Sequence, residues 1–136
     1  MWLIKQTVEH DPDNGKIGNC FSASLSSLLH LPIESIPTFT GPDWTKAVNE
    51  FLEPYGLAYV TILTNPAMMT DMGIKGLHHE AEVPSLHPQA QAHSCVAIDG
   101  EVMFDPGATT REHYEVLSYG LFVVLRPWTH MSRSKP

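Results

Sequence analysis

Three side chains in this sequence have the chemistry for nucleophilic acyl transfer: Cys20, His93 and Asp105. Cys20 directly follows Asn19, a good helix N-cap, which puts it in a first helical turn. There the free backbone N–H groups and the positive end of the dipole favour a thiolate. The plain alternative is a small core residue. His93 opens the strand candidate AHSCVAI (92–98) and Asp105 ends EVMFD (101–105), with the hairpin dipeptide Asp99-Gly100 between them. Pairing Ile98 with Glu101 brings residues near 94 opposite those near 105, making His93 and Asp105 near neighbours. A carboxylate there would fix the tautomer of the imidazole and leave its other nitrogen to take a thiol proton.

The other candidates carry less. Cys95 lies two residues after His93, on the same strand face, and reads as core packing. His78-His79-Glu80, with Glu82, His87 and His93, offers ligand atoms but none of the zinc spacings, so no metal site is assigned. DPDNG lacks the later acidic ligands of a calcium loop and reads as a turn. His10, His30, His113 and His130 follow no partner pattern, and no motif calls for a cofactor.

The elements that must hold these residues follow from periodicity. Residues 2–8 (WLIKQTV) read as a short strand or extended arm, and HDPDNGKIG as a connecting loop. Phe21, Leu25, Leu28 and Leu29 form the apolar stripe of a helix that Pro32 ends. Gly41-Pro42-Asp43 announces a second helix with Trp44, Val48, Phe51 and Leu52 on its apolar side, closed by Pro54 and Gly56. AYVTIL (58–63) and GLFVVLR (120–126) are strand candidates. Residues 65–91 lack clear periodicity and read as a long loop, a candidate rim or lid over a site. Two helices followed by strands and a hairpin predict an α+β domain with a mainly antiparallel sheet, over residues 1–128. A flexible tail is expected at 129–136.

Size and charge narrow the partner. The chain has 136 residues, 43% hydrophobic and 17% charged, enough for one core and no second domain. Eight Lys and Arg against 15 Asp and Glu give a net charge of −7 with no basic block, which argues against nucleic acid or an anionic membrane surface. No apolar run reaches the ~20 residues of a membrane span, and the start lacks a secretory signal. A cytoplasmic protein with reduced cysteines is expected, its partner a small molecule, peptide or protein.

GNCFSASLSSLL, HSCVAI and VMFDP together resemble the papain-like cysteine peptidase superfamily. The helix, the HSCVAIDGEVMFDP hairpin and the size are most similar to small bacterial domains of the bacteriocin-leader-peptidase kind. QT…GNC, LPIESIPTF and the Trp44 helix also resemble small uncharacterised phage and bacterial proteins. The resemblance spans residues 6–125 in order of elements. It implies a papain-like fold with N-terminal helices packed on the sheet, and a thiol hydrolase or acyl transferase acting on an amide, isopeptide or thioester bond in a peptide, protein or small acyl substrate. It also implies Cys20 as nucleophile, His93 as base and acid, and Asp105 as the orienting carboxylate. Such enzymes place an oxyanion-hole glutamine six residues before the cysteine, where this chain has Asn14. Gln6, on the ordered arm, is the favoured substitute and Asn14 the runner-up. Phe21 stands where a small residue is usual, which bears on substrate shape. The competing reading is a non-catalytic binding protein on the same scaffold, such as a phage factor that sequesters a host protein or small molecule.

Overall fold

Helix α1 spans Cys20–Leu29, and its buried residues are mostly serines: Ser22, Ala23, Ser24, Leu25, Ser26 and Ser27. Of the expected stripe only Leu25 is fully buried, while Phe21, Leu28 and Leu29 are half-buried. Small side chains let the helix axis approach the sheet closely, and each hydroxyl needs a partner once buried. Ser22 donates to Pro37 O (2.7 Å), Ser27 donates to Ala23 O (3.0 Å) and accepts from Ile4 N–H (2.9 Å). Asn19 does not cap the helix through its side chain. Its Oδ1 instead accepts the N–H groups of Thr7 and Val8 (3.0 and 2.9 Å), which straps residues 5–8, an extended arm outside the sheet, onto the head of α1.

This computed structural model describes residues 2–63, 70–88, 90 and 92–133. Among the described residues, helices α1, α2 (Trp44–Leu52) and α3 (Pro127–Arg133) accompany an open sheet of five strands, giving a mixed α+β architecture. The strands are β1 (Leu57–Ile62), β2 (His78–Pro84), β3 (Ala92–Ile98), β4 (Glu101–Phe104) and β5 (Ser118–Val124), in the spatial order β1-β5-β2-β3-β4 with every pair antiparallel. Among the described residues no helix is long and apolar enough to cross a membrane.

Strand alternation assigns the two faces. Tyr59 and Phe122 face α1 and α2, where they pack with Val48, Leu52, Phe21 and Trp44. Ala81, Ala97 and Tyr119 point the other way, against Ile74, Leu77, Val102 and Val116. Burying a side chain such as Val48 or Leu52 stabilises the fold by ~1.5–3 kcal/mol, so the α2 contacts anchor the helical layer.

Two expectations change. The stretch 65–91 is not a loop throughout, because β2 lies inside it at the centre of the sheet, between β5 and β3. Its period-two alternation is real but inverted: Glu80 and Glu82 face the helices and Ala81 and Val83 the opposite side, so the polar positions are not the wet ones. Of that stretch, residues 65–69, 89 and 91 fall outside the described residues. The tail expected at 129–136 is helical as far as Arg133, with Pro127 starting the helix and pre-setting its first φ. Residues 134–136 fall outside the described residues.

Candidate active site

The β3–β4 hairpin turns at Asp99 (φ 51°) and Gly100 (φ 90°), the two positive φ values of the predicted tight turn. Ile98 pairs with Glu101, and a bulge then sets Val96 opposite Phe104. The carboxylate of Asp105, just past β4, thereby meets the ring of His93: Nε2–H donates to Oδ1 at 2.6 Å. Oδ1 also accepts the Gly107 N–H (2.8 Å), and Oδ2 accepts the Tyr114 hydroxyl (2.8 Å). Because Oδ1 already receives an N–H, it acts as acceptor, and this fixes the proton on Nε2 and leaves Nδ1 for a second partner.

The arm holds this pair from outside. Lys5 Nζ donates to the carbonyls of Asp105 (2.9 Å) and Gly107 (2.8 Å), and Gln6 N–H donates to Pro106 O (2.9 Å). Asp105 is buried and stays ionised. Burial would raise its pKa, but the hydrogen bonds from His93, Gly107 and Tyr114 overcome that and lower it to about 2. For His93, burial alone would disfavour the imidazolium. The Asp105 hydrogen bond, with the thiols of Cys20 and Cys95, outweighs burial and pushes the pKa up to about 12.

Two cysteines thus contact one imidazole, and position separates them. His93, Cys95 and Asp105 lie together, their ligand-type atoms within 4.8 Å of one another, with Cys95 two residues along the strand from His93 and fully buried. Burial raises the pKa of its thiol, so Cys95 has neither access nor ionisation in its favour. Cys20 is half-buried at the head of α1, where Sγ accepts the Ser94 N–H at 3.5 Å. It lines an open cleft of about 700 Å³ together with His93, Gln6, Phe39, Trp44 and Glu82. The group is built as a hydrogen-bonded pair rather than a metal cage. Tetrahedral zinc would hold a nitrogen and an oxygen ligand ~3.4 Å apart, whereas Nε2 and Oδ1 are in direct contact.

No protein-family model, curated protein or solved structure matches this chain.

The two oxyanion candidates part company. Asn14 sits exposed in a one-turn 3-10 helix (Pro12–Asn14), with its Nδ2 on Asp11 Oδ2 at 2.7 Å, and does not line the cleft. Gln6 does line it, but its Nε2 donates to Val8 O (2.9 Å) and Glu9 Oε2 (3.2 Å), while its buried Oε1 has no partner. The Cys20 N–H opens α1, where first-turn donors lack a helical acceptor.

Sequence reasoning missed Tyr114, Ser94 and Gly107. Tyr114 and Ser94 carry no motif. Gly107 carried the weak signal of a glycine after Asp-Pro. A Cβ at Gly107 would stand 3.0 Å from Asp105 Oδ1 and 3.2 and 3.3 Å from His93 Cε1 and Nε2. Its φ is not positive, so an alanine suits the backbone and presses only on the pair. Gly107→Ala is expected to slow alkylation of Cys20 about tenfold, by tilting the imidazole. Thermal melting should register a loss of only ~1 kcal/mol. An unchanged alkylation rate would show that the ring tolerates the displacement.

Proposed function

We propose that the protein is a thiol hydrolase or acyl transferase with a papain-like arrangement, in which Cys20 attacks the carbonyl of an amide, isopeptide or thioester. The observation that carries this reading is the His93–Asp105 hydrogen bond at 2.6 Å in the wall of the cleft that Cys20 lines from the head of α1. His93, whose pKa lies well above that of free histidine, keeps the proton of the thiol on Nδ1 as an imidazolium, and the sulfur forms a bond to the carbonyl carbon. The tetrahedral oxyanion accepts the Cys20 N–H, and Gln6 joins as a second donor once its amide lets go of Glu9. As the C–N or C–S bond to the leaving group breaks, His93 returns the proton to that group. Water or an acceptor nucleophile, deprotonated by the same imidazole, then releases the acyl group from sulfur. Asp105 holds the ring and steadies the imidazolium throughout.

The substrate class is a peptide, protein or small acyl compound, with the cleft formed between the helical layer and the sheet end. The occupied amide of Gln6 is the observation that favours the alternative, a binding protein that holds a ligand in this cleft without turnover. Iodoacetamide alkylation at pH 6, read by intact mass, separates the two. Rapid modification of Cys20 alone, slowed more than about tenfold in His93→Ala, is expected of the enzyme. Equal rates in the two proteins would remove the activated nucleophile and leave the binding reading.

A further inference from the structure

Directly behind the nucleophile lies a carboxyl that the chemistry above does not use. Glu80, on the central strand β2, is fully buried. Its Oε1 accepts the Tyr59 hydroxyl (2.9 Å) and its Oε2 lies 2.8 Å from Ser94 Oγ. Ser94 Oγ is also 3.0 Å from Ser24 Oγ, one turn after Cys20 on α1. The backbone N–H of the same Ser94 meets Cys20 Sγ. Ser94 therefore joins the buried carboxyl to the nucleophile, with its side chain on one and its main chain on the other.

Counting hydrogens gives this chain a direction. Ser94 has one hydroxyl proton and two oxygen neighbours. If Glu80 is neutral, its O–H donates to Ser94, and Ser94 donates to Ser24, so every link points toward α1. If Glu80 is ionised, Ser94 must turn its proton back to the carboxylate and loses its donor bond to α1 unless Ser24 also turns. Among the described residues no lysine or arginine bonds to Glu80. The groups that face it are Tyr59 from β1, Glu82 along β2, His93 and Ser94 from β3, and Ser24 from α1, while β5 presents Gly120 and Ser118. Lys46 and Glu50 of α2 point to solvent. Burial, then the Glu82 charge, hold the proton on Glu80 and raise its pKa to about 8, against the opposing effects of Ser94, Tyr59 and His93.

We propose that Glu80 is a positioning residue for Cys20: its protonated, buried carboxyl orders the Ser94–Ser24 hydroxyl chain that keeps the Ser94 N–H on the Cys20 sulfur. This inference rests on the reading of Cys20 as nucleophile and adds to it a control from the core. Ionisation of Glu80 reverses the chain and places a negative charge behind the sulfur, so the Cys20 sulfur loses support on both counts.

Alkylation of Cys20 in the full chain between about pH 7 and pH 9 tests the proposal. The wild-type rate is expected to fall about threefold or more over that interval. Glu80→Gln keeps a donor for Ser94 and an acceptor for Tyr59 but does not ionise, and is expected to hold its rate. A glutamine variant that falls in step with the wild type overturns the proposal. Should that variant fail to fold by circular dichroism, Ser94→Ala decides. It cuts the chain but retains the backbone N–H and the ionisable carboxyl, and is expected to show a smaller alkaline fall than the wild type, so a fall equal to the wild type's overturns the proposal. Failure of the nucleophile reading is seen elsewhere, as an absence of any His93 dependence at pH 6.

Discussion

Asp105→Asn is expected to reduce turnover, or in its absence the alkylation rate of Cys20 at pH 6, by ~10²–10⁴-fold while leaving the fold in place. The size follows from what Asp105 does with its two oxygens. Three donors converge on them, from His93, Gly107 and Tyr114, and no acceptor does. An asparagine has one oxygen and one NH2 group, so either the Tyr114 hydroxyl must turn to accept from the NH2, or the His93 and Gly107 N–H groups must face another donor. If the NH2 falls to the His93 side, the ring is driven to the tautomer with its proton on Nδ1, where it no longer accepts from Cys20. The charge that keeps the imidazolium pKa far above that of free histidine is lost in either orientation. Alkylation kinetics with circular dichroism as control would check this. A variant within about threefold of the wild type would mean that Asp105 is structural and that the imidazole needs no orienting partner.

Gly120→Ala should cost ~3 kcal/mol or more, a drop in melting temperature of roughly 10 °C for a chain of this size. Gly120 lies on β5 opposite both Thr61 of β1 and Glu80 of β2. A Cβ there would collide with the Tyr59 ring and the Glu80 carboxyl and come within 2.6 Å of the Tyr59 hydroxyl. These are not flexible ends. Tyr59 is buried between Phe21, Trp44 and Phe122, and Glu80 has no exposed path along which to retreat. Displacing either group leaves a buried hydroxyl or carboxyl unpaired in addition to the overpacking. The glycine is the space into which the Tyr59–Glu80 pair fits, so the same substitution would disturb the Ser94 chain behind Cys20. Thermal unfolding followed at one pH measures the effect, and a loss below about 1 kcal/mol would mean that the sheet can open locally at β5.

Several features were legible without coordinates because they depend on near neighbours along the chain. Asn19 and Pro32 bracket α1, Pro42 and Asp43 precede α2, and Asp99-Gly100 demands positive φ values that few other pairs accept. That turn fixes Ile98 opposite Glu101, and with a period of two it brings His93 into the neighbourhood of Asp105; the bulge between Val96 and Ala97, which shifts the register by one residue, is set by the tertiary structure. The α+β class and the antiparallel sheet follow from the same local signals.

What the tertiary structure alone decided is where polar side chains become buried. The serines of α1 and the acids of β2 have the composition of a wet surface, and in isolation they read as one. Their burial depends on partners 14 to 70 residues away, on Ser94 meeting both Glu80 and Ser24, and on the missing side chain of Gly120. No local period encodes such satisfaction, because a hydroxyl or carboxyl is tolerated in the interior only when a distant chain segment supplies its hydrogen bond. The sequence by itself determined the hairpin that brings His93 to Asp105. Tertiary packing put Cys20 on the cleft and Cys95 beneath the imidazole, since the access of a thiol is set by what covers it rather than by its neighbours in the chain.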